Sequence, residues 1–256
     1  MELNQIQSAL NRNSLFSGKL TLLDTTPSTN SHLSQLARKG APEGTVLLAE
    51  EQTAGRGTSG RSFYSPHGTG LYLSVLLRPR AELPDLLTLT GRAAAAVRSG
   101  IAAATGAPCA IKWLNDIYLK DRKLCGILTE LSPGGTDWVI LGIGVNVSQS
   151  PADFAGQGLD TIATSLAAEG FPVRREELAA AILNELDNMY RLFPQGLSDA
   201  LADYRTHCLT LGRRVGFIQN GHRQEGTALR VEDDFTLTIQ ASSGLHNAWA
   251  GTVDLL

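Results

Sequence analysis

Three cysteines in 256 residues, Cys109, Cys125 and Cys208, are too few and too widely spaced for a disulfide framework or a zinc knuckle. Buried free thiols are the expected role. Basic residues do not exceed acidic ones: 22 against 25 gives a formal charge of -3, with no block of like charge, which argues against general affinity for nucleic acid. No apolar run approaches the ~20 residues needed to cross a bilayer. Met1 to Gln5 lacks the basic stretch and apolar core of a secretory leader. The expectation is a cytoplasmic protein that engages neither DNA nor a membrane. The 27 residues ahead of Ser28 are also too few for a three-helix DNA-reading unit. Internal repeats and low-complexity tracts are missing too.

What is present begins with Gly55-Arg56-Gly57-Thr58-Ser59-Gly60-Arg61, which spells the dinucleotide-binding pattern G-x-G-x-x-G in the wrong surroundings. That pattern needs a strand before it and a helix after it, so that the helix N-terminus meets a pyrophosphate. Thr45 to Glu50 reads as the strand. The exit does not read as a helix, since Arg61 to Gly70 carries Pro66 and two glycines and leads into an alternating run, Leu71 to Leu77. Strand, loop, strand is the reading. Such a loop brings backbone N–H groups close to an anion, and Arg56 and Arg61 offer forked donors for carboxylate or phosphate. A surface hairpin with incidental arginines is the alternative.

Ser28 or Thr29 sits where an N-cap would stand, ahead of a helical pattern carrying Leu33, Leu36 and Ala37 and stopping at Gly40. Leu86 to Thr105 is alanine-rich and ends at Gly106, as a long buried helix packed on a sheet would. Ile111 to Leu119, Lys123 to Leu131 and Trp138 to Val147 read as three strands joined by turns short enough for antiparallel pairing. Glu176 to Phe193 spaces Leu178, Ile182, Leu186, Met189 and Phe193 as a core-facing helix. Ser198 to Leu209 reads as a further helix. Beyond it come short β-like segments around Val215, Ala228, Leu237 and Ala248, punctuated by Asn220-Gly221, Asp233-Asp234 and Ser242-Ser243-Gly244. The expected architecture is α+β, a mixed and mostly antiparallel sheet packed with helices over residues 1–209, with a small β-barrel over 210–256 near the lower size limit for independent folding.

A second cluster, Lys112-Trp113-Leu114-Asn115-Asp116, sets a cation, an amide and a carboxylate among residues that otherwise look buried, and polar groups there need partners. Lys123-Leu124-Cys125-Gly126-Ile127-Leu128 follows, with Gly126 interrupting a strand as it does where a backbone or a ligand comes close. Gly142-Ile143-Gly144-Val145-Asn146 repeats that theme. Solvated hairpin tips are the plainer reading of each piece alone.

Together the pieces resemble the biotin protein ligases. The family's signatures are Ser-Thr-Asn, a Gly-Arg-Gly-Arg-x-Gly-Arg loop followed by an aromatic and Ser-Pro, Lys-Trp-Pro-Asn-Asp, Lys-Leu-x-Gly-Ile-Leu and Gly-x-Gly-x-Asn. They have counterparts in order at Ser28 to Asn30, Gly55 to Pro66, Lys112 to Asp116, Lys123 to Leu128 and Gly142 to Asn146. The likeness is dense from residue 28 to about 150 and looser beyond, and without a DNA-binding segment it resembles the monofunctional, non-repressor class. The resemblance implies a class II synthetase-like catalytic domain with an SH3-like C-terminal barrel. It implies that biotin and MgATP form biotinyl-5'-AMP, and that a lysine of the biotin carboxyl carrier domain of acetyl-CoA carboxylase, or a related carboxylase, then takes the biotin. Biotin contacts are implied for Ser28, Thr29, Asn30, Gln52, Gly55, Arg56, Gly57, Thr58, Lys123, Gly126 and Gly142. Nucleotide contacts are implied for Arg56, Arg61, Phe63, Lys112, Asn115, Asp116, Lys123 and Asn146.

Within that scheme Arg56 and Lys123 neutralise the approach of a carboxylate to phosphorus, and Asp116 orients or deprotonates the incoming lysine. Mg²⁺ enters with ATP, and no protein ligands are assigned to it. A monomer or weak homodimer is expected. Two positions depart from the family pattern. Thr58 replaces an arginine, which implies weaker retention of the adenylate, and Leu114 replaces a proline. Lipoate or octanoate ligases and a non-catalytic biotin-binding regulatory module are the alternatives.

Overall fold

The computed structural model describes residues 1–135, 137–219, 221–249 and 253–256. A short helix, α1 (Leu3–Ala9), precedes strand β1 (Leu20–Thr26), helix α2 (Thr29–Arg38) and strands β2 (Val46–Gln52) and β3 (Gly70–Leu77). Helix α3 (Leu83–Thr105) leads into β4 (Ala110–Lys112), β5 (Asp116–Leu119), β6 (Arg122–Leu131) and β7 (Val139–Asn146). Three helices follow, α4 (Pro151–Ala155), α5 (Arg175–Arg191) and α6 (Leu197–His207). The seven strands form one sheet in the order β1-β2-β3-β7-β6-β5-β4. Only the β1–β2 pair is parallel.

Every residue of β3 is buried, so the alternation read over Leu71 to Leu77 does not separate a core face from a solvent face. The reason is that the sheet is covered on both faces, so its central strands read as apolar runs. On one face Leu33 and Ala37 of α2 pack with Leu47, Leu76, Trp138 and Ile140. On the other lie α3 and α5. Small residues on α3 allow a close crossing there, because a Cβ on Gly100 would lie 2.7 Å from Ile182 Cα. Gly106 ends α3 in the left-handed region at φ 71°, as its position in the sequence suggested. The helix starts three residues earlier than expected, at Leu83, with Pro84 in its first turn where a missing N–H costs nothing. Phe193 falls just past the end of α5, and packs on the core from there.

The expectation of one strand over Ile111 to Leu119 is wrong. The segment is a hairpin, with Ala110 opposite Tyr118 and Lys112 opposite Asp116, and Trp113, Leu114 and Asn115 forming its turn. Distant partners satisfy that turn, which alternation of residue types cannot reveal. Trp113 N–H donates to Thr210 Oγ1 (2.9 Å) and its indole to Phe235 O (2.7 Å), while Leu114 O accepts from the Tyr204 hydroxyl (3.0 Å).

The C-terminal strands are β8 (Arg214–Gln219), β9 (His222–Val231), β10 (Leu237–Ala241), β11 (Gly244–Ala248) and β12 (Val253–Leu255). They form a five-stranded antiparallel, SH3-like sheet ordered β11-β10-β9-β8-β12. Asn220 of the expected Asn220-Gly221 turn lies outside the described residues. Val215, Phe217, Phe235 and Ile239 join the same core cluster as the large sheet rather than one of their own. Phe235 is the plug: its ring meets Tyr204 edge-on at 5.1 Å and fills the space above Gly91, where a Cβ would sit 2.2 Å away. All three cysteines are buried and unpaired, and burial pushes the Cys109 thiol up to about 12.

Candidate active site

Two adjoining cavities open where the β2–β3 connection meets β5 and β6. The inner and narrower one, ≈ 40 Å³, is bordered by Ser28, Thr29, Asn30, Gln52, Arg56, Asn115, Gly126 and Gly142. The outer one, ≈ 310 Å³, is bordered by Arg61, Tyr64, Lys112, Tyr118, Asn146, residues of the 154–163 segment and Asp254. Gly57, Thr58, Phe63, Asp116 and Lys123 line both. Residues from all five motifs thus converge on one cleft, joined by the 154–163 segment and Asp254. Gly55 borders neither cavity; its carbonyl accepts from Phe63 N–H (2.9 Å), closing the base of the loop.

Local chemistry places each group. Ser28 caps α2 by accepting from Ser31 N–H at 3.5 Å, so the first helical turn presents Thr29 and Asn30 to the sheet. The site and the cap are therefore the same residues. Gln52 Oε1 accepts from both Thr29 N–H (2.9 Å) and Thr29 Oγ1 (3.1 Å), and its Nε2 donates to Ser65 Oγ (2.9 Å). Ser74, buried in β3, shares its one hydroxyl proton between Thr29 Oγ1 (2.7 Å) and Asn30 Oδ1 (2.6 Å). Asn30 Nδ2 donates to Leu128 O (3.2 Å) and Glu130 Oε2 (2.8 Å).

The glycines of β6 and β7 make room for side chains of the protein itself. A Cβ at Gly142 would lie 2.1 Å from Asn30 Oδ1, and one at Gly144 would lie 2.6 Å from the Phe63 ring. Phe63 therefore lies against the β7 backbone between the two cavities. The loop is also more self-contained than its glycines suggested. Gly57 N–H donates to Arg61 O (2.7 Å) and Arg61 N–H to Thr58 O (3.2 Å), so these donors do not point at an anion. Its cations come from side chains. Arg56 Nη2 pairs with Glu130 Oε1 (2.7 Å), and Arg61 Nη2 donates to Thr58 Oγ1 (3.2 Å).

At the junction of the cavities Lys123 Nζ pairs with Asp116 Oδ1 at 2.7 Å. The hairpin turn sets this up, since Asp116 lies opposite Gly126 in β6 and Gly126 leaves space for the lysine side chain. Asn115 is spent on the scaffold, donating from Nδ2 to Ile127 O (2.6 Å), and Asn146 Nδ2 donates to Thr164 O (2.9 Å). Burial lowers the Lys112 ammonium below the usual lysine range, with the Asp116 and Asp254 carboxylates pulling it part of the way back. Burial, reinforced by Asp116, raises the Tyr118 phenol to about 12.

The sequence reading missed Ser31, Ser74, Glu130 and Asp254. Ser74 and Glu130 did leave a signal, as a hydroxyl in the apolar run Leu71 to Leu77 and a carboxylate closing a buried strand. Asp254 left none. Its place at the outer cavity means that the C-terminal sheet borders the site as well as supporting it.

The profile of the Biotin/lipoate A/B protein ligase family matches residues 22–146. The bifunctional ligase/repressor BirA of Bacillus subtilis is 35% identical over 91% of this chain and 72% of its own length. The biotin--[acetyl-CoA-carboxylase] ligase of Mycobacterium tuberculosis is 33% identical over 92% of this chain and 88% of its own. Among solved structures, the biotin protein ligase of Aquifex aeolicus in complex with biotin and ATP superposes with a TM-score of 0.75 at 26% identity, covering 93% of this chain and 99% of that one. The architecture, the converging motifs and these relatives agree: the chain belongs to the biotin/lipoate A/B protein ligase family, and within it to the biotin protein ligases.

Proposed function

We propose that the protein activates biotin with MgATP to biotinyl-5'-AMP and transfers the biotinyl group to a lysine of a biotin carboxyl carrier domain. One observation carries this reading: Lys123 stands where a narrow polar cavity opens into a wider one, so a carboxylate held in the first meets a phosphate held in the second beside a cation. The inner cavity, with its amides and hydroxyls from Thr29, Asn30 and Gln52, takes the ureido head group. The outer one takes the nucleotide, with Phe63 offering a ring face and Arg61 and Lys112 positive charge.

In the first step a biotin carboxylate oxygen attacks the α-phosphorus, and the bond to the bridging oxygen breaks with departure of pyrophosphate. Both reactants are anionic, so Lys123 and Arg56 lower the barrier by offsetting the charge that builds between them. Mg²⁺ arrives on the triphosphate. In the second step the acceptor amine attacks the biotinyl carbonyl carbon, AMP leaves with the anhydride oxygen, and the amine gives up a proton. Asp116, released from Lys123 when that lysine turns to phosphate, is the carboxylate placed to orient the amine. Residues 1–209 form the catalytic unit and 210–256 a supporting unit whose Asp254 borders the nucleotide cavity.

Pyrophosphate release on mixing the protein with biotin and ATP tests the first step, with lipoate as the competing acid. Streptavidin blotting of a carrier domain tests the second. Faster release with lipoate, or release without transfer to any carrier domain, would overturn the assignment.

A further inference from the structure

The groups expected to meet biotin and phosphate are joined behind the cavity by a carboxylate that belongs to none of the motifs. Glu130 accepts from Arg56 Nη2 through Oε1 (2.7 Å) and from Asn30 Nδ2 through Oε2 (2.8 Å). Arg56 Nη1 is held as well, by Ser31 Oγ at 3.1 Å. Both amide hydrogens of Asn30 are committed, one to Leu128 O and one to Glu130, while its Oδ1 accepts from Ser74. An asparagine held in this way has a defined carbonyl end and a defined amide end, which a carboxamide otherwise lacks. The guanidinium is likewise gripped at one edge and left with its remaining donors for a ligand.

We propose that Glu130 is a positioning residue that sets the Asn30 carboxamide and the Arg56 guanidinium at once, so that one carboxylate outside both cavities governs affinity for biotin and for the nucleotide. The inference rests on the assignment of biotin to the inner cavity and nucleotide to the outer, and on Arg56, which borders the inner cavity, meeting the α-phosphate where the two cavities join. Its physical basis is that ordering a long arginine side chain before the ligand arrives removes that cost from binding. An exposed ion pair of no consequence is the rival, and the exposures of 48% for Arg56 and 28% for Glu130 make it a real one. What argues against it is the second oxygen, bonded to a residue only 3% exposed.

The test is a set of mutant cycles read by calorimetry, with biotin alone and with α,β-methylene-ATP, which cannot be cleaved at the α-phosphate. Glu130→Gln retains shape and can accept through only one atom. It is expected to weaken each ligand by about tenfold, the scale of one lost charge-assisted hydrogen bond. In an Arg56→Ala background its nucleotide effect should vanish while the part of its biotin effect that runs through Asn30 remains; in Asn30→Ala its nucleotide effect should be kept and its biotin effect reduced to the part that runs through Arg56. A general loosening of the fold would instead give the same losses in every background. Glu130→Asp, too short to reach both partners, should lose one effect and keep the other, and serves if the glutamine variant does not fold. Losses below about twofold in both ligands, or a nucleotide effect undiminished in Arg56→Ala, overturn the proposal. A parental protein that releases pyrophosphate alongside such results leaves the biotin assignment standing, whereas a parental protein that binds neither ligand overturns both.

Discussion

The seven-stranded sheet and the C-terminal sheet press on one core but dispose of their polar groups in opposite ways. Around the inner cavity, Thr29, Asn30 and Ser74 are each buried to within a few per cent, and they satisfy one another through a chain that runs from Ser65 to Glu130. On the C-terminal sheet the pairs Arg214–Glu225 and Arg230–Glu232 lie at the surface, where such pairs contribute little. What that sheet supplies inward is mostly apolar, Phe235 above all. The large sheet buries a connected polar network beside the cavity, whereas the C-terminal sheet meets the shared core chiefly through hydrocarbon.

Removing the cation at the cavity junction should have the largest effect. Lys123→Ala is expected to cut biotin-dependent pyrophosphate release by about 10²–10³, with a melting temperature close to the parent because the side chain is partly exposed and, among the described residues, pairs with Asp116 alone. Release at the parental rate would reduce Lys123 to a hairpin tip. The opposite pattern is expected from the other sheet. Phe235→Ala empties a site packed against Tyr204 and Gly91 and should cost about 3–5 kcal/mol of unfolding free energy, read by urea denaturation. A loss below about 1 kcal/mol would mean that the C-terminal sheet is only loosely docked.

A smaller effect is expected at Thr58, whose hydroxyl accepts from Arg61 where the family pattern has an arginine. Thr58→Arg should slow escape of biotinyl-5'-AMP by about tenfold, the worth of one charge-assisted bond, and should lower labelling of a bystander protein's lysines. Equal labelling would show that Arg56, Arg61 and Lys123 already hold the phosphate. The smallest effect is expected on acidification. Burial raises the Glu169 carboxyl, but bonds from Thr164 and Lys120 and the charges of Arg122 and Lys120 outweigh it and hold it below the ordinary glutamate range. A lowered carboxyl contributes stability that is complete above its unfolded value and is lost as pH falls through the folded one. The stability advantage of the parent over Glu169→Gln should therefore hold at neutral pH and shrink below about pH 4.5, as followed by thermal melts.

Legibility followed range along the chain. The helix at Ser28, the glycine stop at Gly106 and the hairpin turn at Lys120-Asp121 depend on neighbours within a few residues, and the structure has them where local rules put them. Strand β1 was not anticipated: its seven residues include an aspartate and three threonines, and its pairing to β2 is parallel and made across the whole of α2. The Trp113 turn was misread as strand, because what turns the chain there is Thr210, Phe235 and Tyr204, about ninety to one hundred and twenty residues away.

By itself the sequence determined the fold class, the order of the motifs and the kinds of group they carry, since these are properties of residue type and spacing. Tertiary structure alone decided the rest. Whether Gly142 faces a ligand or Asn30, whether the loop's N–H groups are free or spent on Arg61 and Thr58, and which carboxylate answers which cation all turn on distances between segments that spacing does not encode. The same holds for the C-terminal strands, which carry no motif yet share the core and place Asp254 at the outer cavity. Hydrophobic burial is non-directional and reads from composition and period, whereas hydrogen bonds and ion pairs act over about 3 Å and exist only once the chain has closed upon itself.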